Sequence, residues 1–245
     1  MKALRFTLVT DGPSDGEMLI PILEWLLRMY CGSIGINVVH ADLLRCHQVP
    51  RGLKNKIAFA LEAYPCDSLF VHRDAERDLP ELRRQEIQRA VESLDAKMHV
   101  PHVCVVPIRM TEAWLLFDKA AIRRASGNPN GKVPLTVPAA SSLEEKPDPK
   151  RLLHELLTTA SELSGRRRKS FDSKTKVRLV ARALDDFSPL RQLSAFRELE
   201  SDVRRIVNDE CRPAAPGHPQ AGIRGSPRTP RPERRTSPEK SGGCR

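Results

Sequence analysis

Four short apolar runs, each parted from the next by an amphipathic stretch, constrain this chain more than any other feature of its sequence. They are Leu4 to Thr10, Ile36 to His40, Ser68 to Val71 and Val103 to Ile108. Between them, Glu17 to Tyr30 carries Met18, Leu19, Ile22, Leu23, Trp25, Leu26 and Leu27 at helical spacing. Lys54 to Tyr64 is a second helix stopped by Pro65, and Leu79 to Lys97 is a third with Leu82, Ile87, Val91 and Leu94 inward. Strands separated by helices are joined by crossovers, which build parallel sheets with helices over the faces. The expected fold is α/β, with a parallel four-stranded, Rossmann-like sheet flanked by helices in residues 1–122.

Beyond that unit the pattern changes. Residues 123–147 are rich in Gly, Pro, Asn and Ser and read as a long loop. Residues 148–210 read as a helical extension packed on the sheet domain. It opens with Asp148 as N-cap and Pro149 at the first helical position, with Leu152, Leu153, Leu156 and Leu157 on the apolar face and Gly165 as its end. The basic run Arg166 to Lys169 reads as a linker before a helix at Ser173–Leu184. A last helix, from about Ser194 to Asn208, buries Phe196, Leu199, Val203 and Ile206. Residues 211–245, basic and holding seven prolines, read as a disordered tail.

Charge is divided along the chain. The formal net charge is +10, yet residues 1–118 hold 14 Lys and Arg against 16 Asp and Glu. Residues 119–210 hold 19 against 13, and the tail 8 against 2. An acidic first half beside a basic second half suits a metal site next to a polyanion surface. Six cysteines without C-x-x-C spacing, and a charged first strand in place of a signal h-region, point to a cytoplasmic protein with reduced thiols. No apolar run is long enough to span a bilayer. His40 and His47 lack partners at zinc spacing, and no G-x-x-x-x-G-K-[ST] occurs, so the chain brings no P-loop of its own.

The third strand breaks into His72-Arg73-Asp74-Ala75-Glu76-Arg77-Asp78, with an acid at every second position. On extended backbone, residues two apart share a face, so Asp74, Glu76 and Asp78 are expected to converge just past the strand end. In a parallel sheet all strand C-termini share one edge, where ligands bind. Asp11 and Asp15 follow the first strand there, and Glu112 follows the fourth. Clustered carboxylates repel one another, and a hard cation such as Mg²⁺ (or Mn²⁺) relieves that repulsion. The same residues read alternatively as a solvated acidic turn capping the next helix. His72 reads as a packed, hydrogen-bonded histidine. Arg73, Arg77 and Arg109 read either as partners of these acids or as phosphate contacts.

The ordered set Asp11-Gly12-Pro13-Ser14-Asp15 and Asp74-Ala75-Glu76 resembles the metal-binding motifs of a Toprim domain. Glu112-Ala113-Trp114-Leu115-Leu116 and Pro147-Asp148-Pro149-Lys150-Arg151-Leu152-Leu153 resemble segments of uncharacterised bacterial Toprim-like families related to OLD-type and RloB-type defence nucleases. The resemblance covers roughly residues 4–200. It implies Mg²⁺-dependent work on nucleic-acid phosphodiesters, phage defence as a setting, and an ATPase that is either a separate partner or dispensed with. Asp11, Asp15, Asp74, Glu76 and Asp78 become candidate metal ligands. Asp11, Asp74, Glu76 and Glu112 become candidate catalytic residues. Asp11 stands where the family usually has Glu, and Glu76 where it usually has Asp. Those departures leave a second expectation open, a non-catalytic nucleic-acid-binding or regulatory protein on a decayed Toprim scaffold. A phosphatase or receiver-like domain also places acids at strand ends, but the D-x-D-x-T turn is missing.

Overall fold

The computed structural model describes residues 3–43 and 50–210. Its strands are β1 (Leu4–Val9), β2 (Ile36–His40), β3 (Ser68–His72) and β4 (His102–Val105), all parallel, in the order β2-β1-β3-β4. The helices are α1 (Pro13–Cys31), α2 (Leu53–Ala63), α3 (Pro80–Glu92), α4 (Lys119–Ala125), α5 (Pro149–Ala160), α6 (Gly165–Lys169), α7 (Ser173–Ala183) and α8 (Ser194–Glu210). The expected α/β architecture is therefore the observed one. Among the described residues, no helix is long and apolar enough to cross a membrane.

Successive strand residues point to opposite faces, and here that alternation makes two cores. Leu4, Phe6 and Leu8 of β1, Phe70 of β3, and Val103 and Val105 of β4 pack with the apolar stripe of α1. Val9, Leu69, Val71 and Cys104 face the other way, with Ile57 and Ala60 of α2 and Ile87 and Val91 of α3. Covered on both sides, β3 is buried along its whole length, which is why it reads as an unbroken apolar run.

The first core does not stop at α1. Buried residues of α4, α5, α7 and α8 join it, so the helices after residue 118 complete one face of the sheet instead of forming a satellite body. Trp114 lies in this joint core, fully buried and edge-on to Phe196 of α8 at 5.6 Å between ring centroids. Asp148 accepts the Arg151 backbone N–H at 2.9 Å with Pro149 in the first turn, the cap read from the sequence.

Several boundaries differ from the sequence reading. The helix beginning at Pro80 ends at Glu92, and a separate 3₁₀ turn follows at Ala96–Met98. Leu82 is 52% exposed instead of inward. Five residues before Ile87, it lies about 140° around the helix from the buried stripe. Thr111 does not cap an α-helix, because Thr111–Leu115 is a 3₁₀ turn entered from Met110. The segment read as a loop contains the end of α4 and a 3₁₀ turn at Ala140–Glu145. Gly165, at φ +55, opens α6 instead of ending α5, so Arg166 to Lys169 are helical and not a linker. The reading of residues 211–245 as a disordered tail lies outside the described residues.

The strand order fixes where a ligand would sit. From β1 the chain crosses to β2 on one side and then returns to β3 on the other, so the crevice at a topological switch point opens beyond β1 and β3. Entry from β1 into α1 is tight. A Cβ on Gly16 would come within 2.5 Å of the His40 ring, which Thr10 Oγ1 holds at 2.8 Å from Nε2. Gly16→Ala gains about 1 kcal/mol of helix propensity, but overpacking costs typically about 1–3 kcal/mol. We expect a net loss of stability in urea denaturation. A gain would show that His40 moves aside freely.

Candidate functional site at the β1–β3 crevice

The floor of the crevice is His72, the last residue of β3, with no exposed surface. Its Nε2 lies 3.1 Å from Asp74 Oδ1 and 3.0 Å from Thr111 Oγ1. A carboxylate can only accept, which places a proton on Nε2. The same Asp74 oxygen accepts the Thr111 backbone N–H at 3.0 Å and its hydroxyl at 3.1 Å. These contacts all fall on Oδ1 and so fix the plane of the carboxylate. The other ring nitrogen, Nδ1, is buried without a hydrogen bond and lies 3.9 Å from Asp15 Oδ2.

Asp15 sits in the first turn of α1, where its Oδ2 accepts the Gly12 backbone N–H at 3.0 Å. That bond ties the turn after β1 to the helix start, with the acid at the positive end of the helix dipole. Burial nonetheless pushes the Asp15 carboxyl above the usual range, with His72 opposing and Asp74 and Asp11 adding to the rise. Glu112 is only 6% exposed, and burial raises its carboxyl too. Lys150, with Nζ 3.4 Å from Oε1, works against that rise, while Asp74 adds to it. Asp74 therefore acts on both Asp15 and Glu112, although each of the three follows a different strand.

The other predicted site residues are placed differently. Asp11 is turned toward Arg73, with Oδ2 3.0 Å from Nε but not aligned as a hydrogen bond; Arg73 also reaches Glu86 at 2.9 Å. The alternation expected to bring Asp74, Glu76 and Asp78 together ends at Glu76, whose φ is +53. Up to there the chain stays extended beside the segment after β4, through Arg73 N–H to Val105 O and Ala75 N–H to Pro107 O. Past the break, Asp78 pairs with Arg83 of α3 at 2.9 Å, and Glu76 lies 3.8 Å from the same guanidinium. Arg109, at φ +69, donates to the Glu76 carbonyl at 3.3 Å, so here it braces the backbone.

Thr111 and Lys150 are the residues that sequence reasoning did not assign to the site. Both lie inside segments singled out for other reasons, Thr111 beside Glu112 and Lys150 one residue past the start of α5. His72 was read as a packed histidine, which it is, but its neighbours make it the support of the acidic pair.

All donors here are hard carboxylate oxygens, the type Mg²⁺ and Mn²⁺ take. Among the described residues, no three His, Cys, Asp or Glu side chains form a group that could enclose a metal ion. Mg²⁺ commonly uses one or two carboxylates, with water and substrate phosphate completing its shell. Asp15 and Asp74 fit that open type, and the unpartnered Nδ1 between them marks unfinished polar demand. No protein-family model, no curated protein and no solved structure matches the chain.

Proposed function

We propose that the protein is a Mg²⁺-dependent, nuclease-like enzyme of Toprim-like architecture that hydrolyses nucleic-acid phosphodiesters, with phage defence as its setting. The observation that supports this best is the placing of Asp15 and Asp74 on the two nitrogens of the buried His72 ring, at 3.9 and 3.1 Å, beside the β1–β3 switch point. Asp15 and Asp74 would hold the ion, with Asp11 at its margin. A bound Mg²⁺ or Mn²⁺ would supply Lewis-acid polarisation of a phosphoryl oxygen and a water of lowered pKa. The protein's own part is positional. Thr111 and His72 lock the Asp74 carboxylate, and Gly12 locks Asp15. Lys150 offsets the buried Glu112 and stands where an incoming phosphate would meet a cation.

In this reading Glu76 and Asp78 do not ligate the ion, since the chain turns away at Glu76 and Asp78 pairs with Arg83. A cytoplasmic location and a separate ATPase, if one is used, belong to the same proposal. The second reading, a non-catalytic nucleic-acid-binding or regulatory protein, is favoured by the lack of a three-ligand cage among the described residues. Labelled single- and double-stranded DNA and RNA, incubated with Mg²⁺, Mn²⁺ or EDTA, separate the two. Cleavage with metal and none in EDTA is expected. Binding without cleavage under every condition would favour the second reading.

A further inference from the structure

Two cavities beside the acids share a wall. One, of about 430 Å³, is bounded by Ser14 and Met18 of α1, Glu112, and Lys150, His154 and Lys174. The other, of about 680 Å³, continues outward past the same Lys150, His154 and Lys174 to Arg151 and Arg168. Together they form a trough running from α6, between α5 and α7, to the buried Glu112. Its lining carries five Lys and Arg against four Asp and Glu, and Arg178 of the inner cavity is matched by Glu17 at 3.1 Å. Lys150 is engaged by Glu112, and Arg151 lies 3.8 Å from both Asp148 and Glu155. Among the described residues, Arg168 and Lys174 pair with no acid, and neither do Arg166, Arg167 and Lys169, all exposed on the same short helix.

His154 reports the resulting field. Its ring, 3.0 Å from Ser173 Oγ through Nδ1, is held below its ordinary pKa by burial first and then by Lys150 and Lys174. Unpaired cations around a trough repel one another until an anion arrives. Neither cavity is lined by Phe, Tyr or Trp, so recognition falls mainly on the charged backbone.

We propose that the α5–α7 trough is the track for a single-stranded nucleic-acid backbone, held through its phosphates at Arg168 and Lys174 and delivered to the carboxylates past Lys150. The proposal rests on nucleic acid being the substrate, as in the reading above, and adds the strand type and the route. The inner end favours a single strand. A phosphate must descend beside a 6%-exposed Glu112, and a flexible strand does this without carrying a paired partner into the cleft. Recognition by backbone charge alone is indifferent to sequence and strongly salt-dependent.

The test uses the full chain in EDTA, so that binding is read without turnover, by fluorescence anisotropy of a labelled oligo-dT of about 20 nucleotides. Arg168→Glu/Lys174→Glu is compared with Arg89→Glu/Lys97→Glu, which changes charge equally on α3 and the 3₁₀ turn after it. The trough variant should bind at least about tenfold more weakly at moderate salt. Its log-affinity against log-salt slope should flatten by about 1.4, or about 0.7 for each lost single-strand phosphate contact. The control should change less than about threefold, and oligo-rU should match oligo-dT. Equal losses in both variants, no binding by the unaltered chain, or a large preference for duplex would overturn the proposal. Groove-dependent binding without cleavage under any metal condition would sink the nuclease reading and leave the track standing. Cleavage with unaltered binding by the trough variant would do the opposite. All four positions are solvent-exposed, so unchanged circular-dichroism melting confirms that the variants compare the same fold.

Discussion

Truncating Trp114 to alanine is expected to cost about 3–5 kcal/mol, the range for large aromatic side chains removed from a close-packed core. Trp114 is fully buried, and it is where the turn after β4 meets α8 through Phe196. Loss of its ring leaves a cavity between the sheet and the C-terminal helices. In a chain of this size, that corresponds to a fall in melting temperature on the order of 10 °C. Trp114→Phe separates packing from polarity. The indole Nε1 is buried without a hydrogen-bond partner, so phenylalanine removes an unsatisfied donor while keeping much of the volume. The Phe variant should therefore lose well under half of what the Ala variant loses. Urea denaturation of the three proteins measures both. An Ala variant within about 1 kcal/mol of the parent would show that the helices after residue 118 do not share the sheet's core. Thr111 and Glu112 stand on the same 3₁₀ turn, so the Ala variant is expected to loosen the acidic site as well.

Much of this arrangement was legible in the sequence because the buried strands and amphipathic helices announce themselves by period. The β1–β4 runs, the α1 stripe, the Asp148–Pro149 cap and the Phe196–Ile206 face of α8 all lie where the pattern puts them. What pattern alone did not show depends on partners distant in sequence. Leu82 looks apolar and inward only until the direction of the α3 stripe is set by Ile87, Ala90 and Val91. Glu76 shares the period of Asp74, but its backbone turns to φ +53 where its N–H bonds to Arg109 O, and the period ends there. Arg83, seven residues on from Glu76, then takes both Glu76 and Asp78. Thr111 and Lys150 join the site through tertiary approach, which no local rule encodes. Conversely, the sequence offers Asp15 only as a metal ligand, whereas Asp11 is a candidate for both roles. The first turn of α1 aims it at His72, while Arg73 draws Asp11 aside.

Asp74→Asn probes the central claim with little disturbance of the fold. With its amide carbonyl in the place of Oδ1, asparagine still accepts from the Thr111 N–H and hydroxyl and from His72. What changes is the other position, which becomes an amide nitrogen and cannot ligate a cation, and the charge, which falls by one beside Asp15 and Glu112. Relief of that repulsion should leave the metal-free variant as stable as the parent or slightly more so. Asp78→Asn is the control, because Asp78 faces Arg83 and not the crevice. The decisive measurement is calorimetric melting of the parent and both variants with and without Mg²⁺. A ligand that binds only the folded state stabilises it by RT ln(1 + [L]/Kd), about 2.7 kcal/mol at roughly 100 times Kd. The parent and Asp78→Asn should therefore gain several degrees with Mg²⁺, and Asp74→Asn should gain none. The same response to Mg²⁺ in the parent and Asp74→Asn, or none in the parent, would contradict a cation site at the β1–β3 crevice.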